Sequence, residues 1–324
     1  MMRSMRYGLL VVFGSALLVS SAHASFELLM VPSNTGTLQR MDAPTGASLG
    51  NFMTWSAAHT AILGESAGNV RVLGGGSTQS FNYSTGETTS QFDVSFGSGS
   101  GTYHDGFVWT ANLGTLRKFQ GGSWTNVTPA GITVDVVTRS EVGELMLIGR
   151  NTGGDLIWNR YDTAGGAVTG SGTLVPSAQL STTAPVGGVT YLAAGGRRNH
   201  QFSYRDSGNA LRMGHVVLNS VGTFLLSGSA PLTGDFEAST TRTPSIIAGH
   251  NDLYVVGAHT SSANTLTISK FGVGFGNAVW KGQYTTAGTV PSKFQMAMVV
   301  APEPGTLIGL GLGALALIRR RRVR

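Results

Sequence analysis

The chain has 324 residues, no cysteine and a formal charge of +6. Without cysteine, neither disulfides nor thiolate metal ligands can hold it together, so about 277 residues between positions 25 and 301 depend on packing and hydrogen bonding. Seven of the 22 basic residues lie at the two ends, which leaves 15 basic against 15 acidic residues between them, and the neutral body gives no argument for a nucleic-acid partner.

At the N-terminus, Arg3 and Arg6 precede an apolar run over residues 9–19, and Ala22 and Ala24 place small side chains at the two positions a signal peptidase reads. The pattern predicts a secretory signal peptide over residues 1–24, with Ser25 as the first mature residue.

From residue 25 to residue 300 there is neither a heptad pattern nor a long amphipathic helix. Strand-length apolar runs recur instead, each entered through a polar or glycine-containing turn: residues 70–73 after Gly68-Asn69, 107–110 after Asp105-Gly106, and 145–148 after Gly143-Glu144. Residues 202–204 follow Asn199-His200, and 253–256 follow Asn251-Asp252. Such dipeptides tolerate positive φ and so favour hairpins. After each run come a short loop, an alternating strand and another glycine turn, as in residues 38–46, 80–86, 116–122, 156–165, 211–222 and 266–274.

Turns near 27, 69, 106, 144, 200 and 252 are spaced by 42, 37, 38, 56 and 52 residues. Periods of about 40 to 50, each filled by about four strands, predict an all-β chain folded as a β-propeller of six blades. The longer C-terminal spacings leave room for a seventh. A β-sandwich is the alternative, because it also offers short strands at regular intervals. The phrase Leu-x-Arg-x-Asp-x-x-Thr-Gly over residues 38–46 resembles blade repeats of surface-sorted bacterial propellers.

The repeats carry little recognisable chemistry. A sialidase-type site would need clustered arginines and carboxylates, yet the arginines are scattered singly apart from Arg197-Arg198. His104 and His250 each precede a hairpin turn and could form part of a metal-binding ring, but the matching positions are Ala67 and Val142, so both histidines read as turn residues. Asp105, Asp155, Asp162, Asp206 and Asp252 fall in or beside turns, where aspartate caps its own backbone. Trp55, Trp109, Trp124, Trp158 and Trp280 are spread over the repeats; sugar stacking is one use, packing between blades the simpler one. Asn82-Tyr83-Ser84 and Asn126-Val127-Thr128 fit the glycosylation pattern by chance as readily as by design. No catalytic residue, metal site or cofactor is assigned.

The C-terminus reads Pro302-Glu303-Pro304, then residues 305–318 without a charge, then Arg319, Arg320, Arg321 and Arg322. Fourteen residues of helix reach about 21 Å against a hydrocarbon core of about 30 Å. Val299, Val300 and Ala301 would lengthen the span if the prolines only kink it. The arginines act as a stop on the cytoplasmic side.

These three parts, in this order over residues 301–324, resemble the PEP-CTERM sorting signal of Gram-negative bacteria that make extracellular polysaccharide, with Gly305 where many members carry serine. The resemblance implies recognition at Pro302-Glu303-Pro304 by an exosortase-type membrane protease, removal of the tail, and delivery to the cell surface or extracellular matrix. The expected organisation is a signal peptide over 1–24, an all-β repeat domain over 25–300 and the sorting signal over 301–324. The expected function is a non-enzymatic binding or structural module associated with exopolysaccharide, biofilm or other surface proteins. A glycoside hydrolase or lyase on the same scaffold is the alternative.

Overall fold

The computed structural model describes residues 26–30, 37–42, 45–54, 59–66, 69–74, 78–82, 88–92, 99–112, 114–140, 143–182, 190–193, 199–218, 224–231, 245–248, 252–259, 262–272, 278–285 and 297–300. Over these residues the chain is all-β, with a single 3-10 turn at Ser177–Gln179 and no α-helix.

The N-terminal strands are β1 (Phe26–Met30), β2 (Thr37–Asp42) and β3 (Ser48–Thr54). Four consecutive strands follow in each of the next sheets. The first holds β4 (His59–Ser66), β5 (Asn69–Gly74), β6 (Thr78–Asn82) and β7 (Thr88–Phe92). The second holds β8 (Gly99–His104), β9 (Phe107–Asn112), β10 (Thr115–Gln120) and β11 (Ser123–Asn126). Next come β12 (Thr133–Arg139), β13 (Glu144–Arg150), β14 (Leu156–Asp162) and β15 (Val168–Val175). They are followed by β16 (Thr190–Ala193), β17 (Asn199–Arg205), β18 (Leu211–Leu218) and β19 (Phe224–Pro231). The last full set is β20 (Ser245–Ala248), β21 (Asp252–His259), β22 (Ser262–Gly272) and β23 (Ala278–Thr285). A final strand, β24 (Ala297–Val300), joins the other end of the chain in a sheet ordered β24-β1-β2-β3.

Among the described residues there are thus six antiparallel four-stranded sheets. Their first strands touch in succession: β4 meets β8, β8 meets β12, β12 meets β16, β16 meets β20, β20 meets β24, and β24 returns to β4. A β-sandwich would instead lay two sheets face to face. The turns spaced along the sequence mark the starts of the second strands β1, β5, β9, β13, β17 and β21, so the repeat runs from second strand to first strand. At β17 the whole expected turn dipeptide lies inside the strand. Asn199 and His200 open β17, where they pair with Val217 and Val216.

A sheet that lies between two neighbours buries its inner strands on both faces, as β12 and β13 do. Val134, Val136 and Val137 of β12 and Leu145, Met146, Leu147 and Ile148 of β13 are all inaccessible to solvent. Alternation along β13 sends Leu145 and Leu147 to one side, where they pack with Tyr161 against Trp109, Ala111 and Leu116 of the preceding sheet. Trp109 meets Tyr161 edge to face, with ring centroids 6.1 Å apart and planes at 70°. Each such side chain contributes about 1.5–3 kcal/mol when fully buried.

Candidate functional site

The sheets present two ends. At the near end lie the turns from first to second strand and the loops from third to fourth strand. At the far end lie the turns from second to third strand and the connections between sheets.

The near end is built on a repeated loop. Asp42 accepts hydrogen bonds from the backbone N–H and the hydroxyl of Thr45, and Asp162 accepts from the N–H groups of Ala164 (3.0 Å) and Gly165 (2.9 Å). In both loops the next turn closes on the aspartate carbonyl, from Gly46 N–H at 2.7 Å and Gly166 N–H at 3.0 Å. Both glycines hold positive φ, 73° and 68°, where a side chain would be strained. The arginine, aspartate and glycine of residues 38–46 are thus repeated within the chain by Arg160, Asp162 and Gly166. Before that second loop, Arg160 grips Glu144 on the neighbouring strand through bonds of 2.9, 2.7 and 2.6 Å, a charged pair that ties the third strand diagonally to the second.

Two sheets are joined at this end. The Thr163 hydroxyl donates to Asp105 at 2.7 Å, while its backbone N–H donates to the Gly143 carbonyl at 2.9 Å. His104 Nε2 lies 3.3 Å from the same Asp105 carboxylate, and the His104 carbonyl accepts from Trp109 Nε1 at 3.2 Å. His104 thus ends β8 beside the carboxylate that links the two sheets. His250, Ala67 and Val142 lie outside the described residues. Among the described residues no group of three or more His, Cys, Asp or Glu side chains could hold a metal ion.

At the far end, Asp155 grips the connection that follows β15, and Asp206 caps its own hairpin turn. Asp155 accepts from Ser177 N–H at 2.8 Å and from Asn151 Nδ2 at 3.1 Å; Asp206 accepts from Arg212 Nε at 2.6 Å and from the N–H groups of Gly208 and Ala210, both at 3.0 Å. The hydrogen bond from Ser177 N–H, foremost, holds the Asp155 carboxyl below its ordinary value, and that from Arg212 does the same for Asp206. Burial lowers His215. The unfolded chain therefore binds more protons at both groups of sites once the pH falls below their unfolded values, so folding stability is full above those values and declines below them. We expect thermal melts to show one loss of stability as pH falls below about 6.5, removed by His215→Asn, and a second below about 3.8, reduced by Asp206→Asn. Melting temperatures that stay flat from pH 7 to pH 3 would contradict this.

The tryptophans divide by position. Trp109 and Trp158 are 1 % and 2 % exposed and belong to the interior. Trp124, on the outermost strand β11, is half-buried, with Phe119 tilted against it at 5.1 Å and the Arg117 guanidinium 5.5 Å from its ring centre. Trp55 and the Trp280 side chain lie outside the described residues. In the second glycosylation triplet, Asn126 Oδ1 accepts from both the N–H and the hydroxyl of Thr128, at 3.0 and 2.6 Å.

Every residue assigned to processing, namely Ala22, Ala24, Pro302, Glu303, Pro304, Arg319, Arg320, Arg321 and Arg322, lies outside the described residues. What is described is the pair of strands they adjoin. Phe26 pairs with Val300, Glu27 with Val299, Leu28 with Met298 and Leu29 with Ala297. Val299 and Val300 therefore do not extend the tail: their backbones are committed to the sheet. Sequence reasoning missed β24, and its only local signal was the apolar run over residues 297–300.

Four-stranded antiparallel sheets whose first strands meet in succession define a β-propeller-like fold. Residues 300–322 carry the PEP-CTERM protein-sorting motif, which implies export, a C-terminal membrane-anchoring signal and processing by exosortase, a membrane protein. Among solved structures, the chain is similar to a protein of unknown function from Bacteroides caccae, at 11 % identity and TM-score 0.52, over 85 % of this chain and 99 % of that one. A chain from a nidogen/laminin complex matches at 11 % identity and TM-score 0.50, again over 85 % and 99 %. The WD40 domain of Toxoplasma gondii coronin matches at 10 % identity and TM-score 0.47, over 87 % and 80 %. At these identities the likeness concerns the fold alone. No curated protein matches the chain.

Proposed function

We propose that the protein is exported from a Gram-negative cell by a signal peptide over residues 1–24 and held in the inner membrane by its tail. An exosortase then frees it at Pro302-Glu303-Pro304 and it reaches the surface or matrix. There a closed six-bladed propeller over residues 25–300 acts as a non-enzymatic binding or structural module for exopolysaccharide or another surface protein. The observation that carries the reading is the sorting motif, which begins at residue 300 where the last strand of the β domain ends.

Support for six blades comes from the succession of first strands, which returns to its start through β24. Support for a non-enzymatic role comes from the use made of the charged groups: Asp42, Asp155, Asp162 and Asp206 cap turns and connections, and Glu144 and Arg212 are held in ion pairs.

The test is to follow the protein in its own cells with and without residues 302–304. We expect the deletion to leave the full-length precursor in the membrane fraction, whereas the intact chain loses its tail and reaches the surface. Unchanged tail removal and surface delivery would sink the sorting reading. Incubating fragment 25–301 with the host's polysaccharide should give binding without turnover; depolymerisation would replace the binding role by a hydrolase or lyase.

A further inference from the structure

Between the β domain and the apolar run of the tail there is almost no spare chain. Val300 is paired with Phe26, the sorting motif begins at that same residue, and the uncharged run begins at residue 305. Five residue steps span at most about 17–18 Å. The strand from which this leash hangs is also the innermost of its sheet, touching β4 and β20, so the leash starts near the middle of the near end.

The dimensions of the domain decide what such a leash permits. A sheet of four strands is about 14 Å wide between its outer strand axes, and side chains extend it to about 20 Å from the centre. Strands of six to eight residues separate the two ends by about 20–25 Å. To turn the far end toward the bilayer, the leash would have to pass round both distances, about 40 Å, more than twice its reach.

We propose that the near end of the domain is its membrane-facing surface, held against the lipid headgroups for as long as the tail is in place. The inference rests on the reading that the tail anchors the precursor. The antiparallel pairing of β1 with β24 puts the beginning of the mature chain at the same end, since Phe26 lies opposite Val300. Both membrane-targeting segments leave where the other sheets have a first-to-second-strand turn. The far end, with its Asp155 and Asp206 turns and the connection at Ser177–Gln179, looks away from the membrane and is the side open to a soluble partner before tail removal.

The absence of cysteine makes site-directed labelling direct. Full-length precursors carrying Ala164→Cys at the near end or Thr152→Cys at the far end, both at exposed positions, would be labelled with bimane. They would then be reconstituted into phosphatidylcholine–phosphatidylglycerol vesicles containing headgroup-linked nitroxide. We expect at least about two-fold more quenching at position 164 than at position 152, because the strands hold the two ends about 20 Å apart. Ala47→Cys and Ser207→Cys repeat the comparison on other sheets, guarding against one ill-folded variant. Equal or reversed quenching in precursor that floats with the vesicles overturns the orientation while leaving the anchor intact. Failure to float overturns the anchor, and the orientation with it.

Discussion

Fragment 25–296 is expected to unfold without the cooperative transition of fragment 25–301. The difference is five residues, four of which, Ala297–Val300, form the first strand of their sheet, a strand that contacts both β4 and β20. Removing them bares the inner edge of β1, and at about 1 kcal/mol for each lost backbone hydrogen bond the four-residue ladder alone is worth several kcal/mol. Against a total of about 5–15 kcal/mol for a domain, that is a large share. Removing β24 also takes away its contacts with β4 and β20 and so opens the succession of first strands. Urea titration followed by circular dichroism checks this: fragment 25–296 should show a broad transition of lower slope. A sharp, superimposable transition would show that β24 is dispensable.

The second large effect is expected from Gly149→Ala in β13. A Cβ built there would lie 2.0 Å from the Thr133 carbonyl oxygen, 2.9 Å from its carbonyl carbon and 3.0 Å from Ile132 Cγ1. The approach lies beside the point where the register between β12 and β13 shifts, between Val134 and Val136. Backbone cannot swing aside as a side chain does, so relief means moving the bulge and the buried valines beside it, at about 3 kcal/mol or more. Gly153→Ala, where the nearest atom is the Asn151 Oδ1 at 3.3 Å, serves as the control and should change stability little. Equal midpoints for the two variants would contradict the account.

The loops of the near end were legible in the sequence because they are local. Leu-x-Arg-x-Asp-x-x-Thr-Gly contains the capping aspartate and the positive-φ glycine within one turn, and the same device recurs at Arg160, Asp162 and Gly166. The second-strand starts were legible for the same reason, apart from Asn199 and His200, whose hairpin-forming composition yields to pairing with β18. The link from Thr163 to Asp105 was not legible: the residues are 58 positions apart, and nothing in either loop names the other. The tryptophans could be counted but not sorted. Trp109 and Trp124 lie in the same sheet, yet one is sealed by the next sheet and the other sits on the outermost strand.

The sequence by itself determined the sorting motif and the building unit. A signal peptide pattern, a repeat of short strands and a three-part tail are each written in consecutive residues, whose propensities and charges act over a few positions. Only the tertiary structure decided which strands meet and which strand completes the first sheet. Val299 and Val300, read from the sequence as able to lengthen the membrane segment, instead pair, together with Ala297 and Met298, with the first strand of the domain, some 270 positions away. Strand pairing joins residues far apart in the chain, so the residues around β24 do not name the edge it takes, which is that of β1 opposite β2.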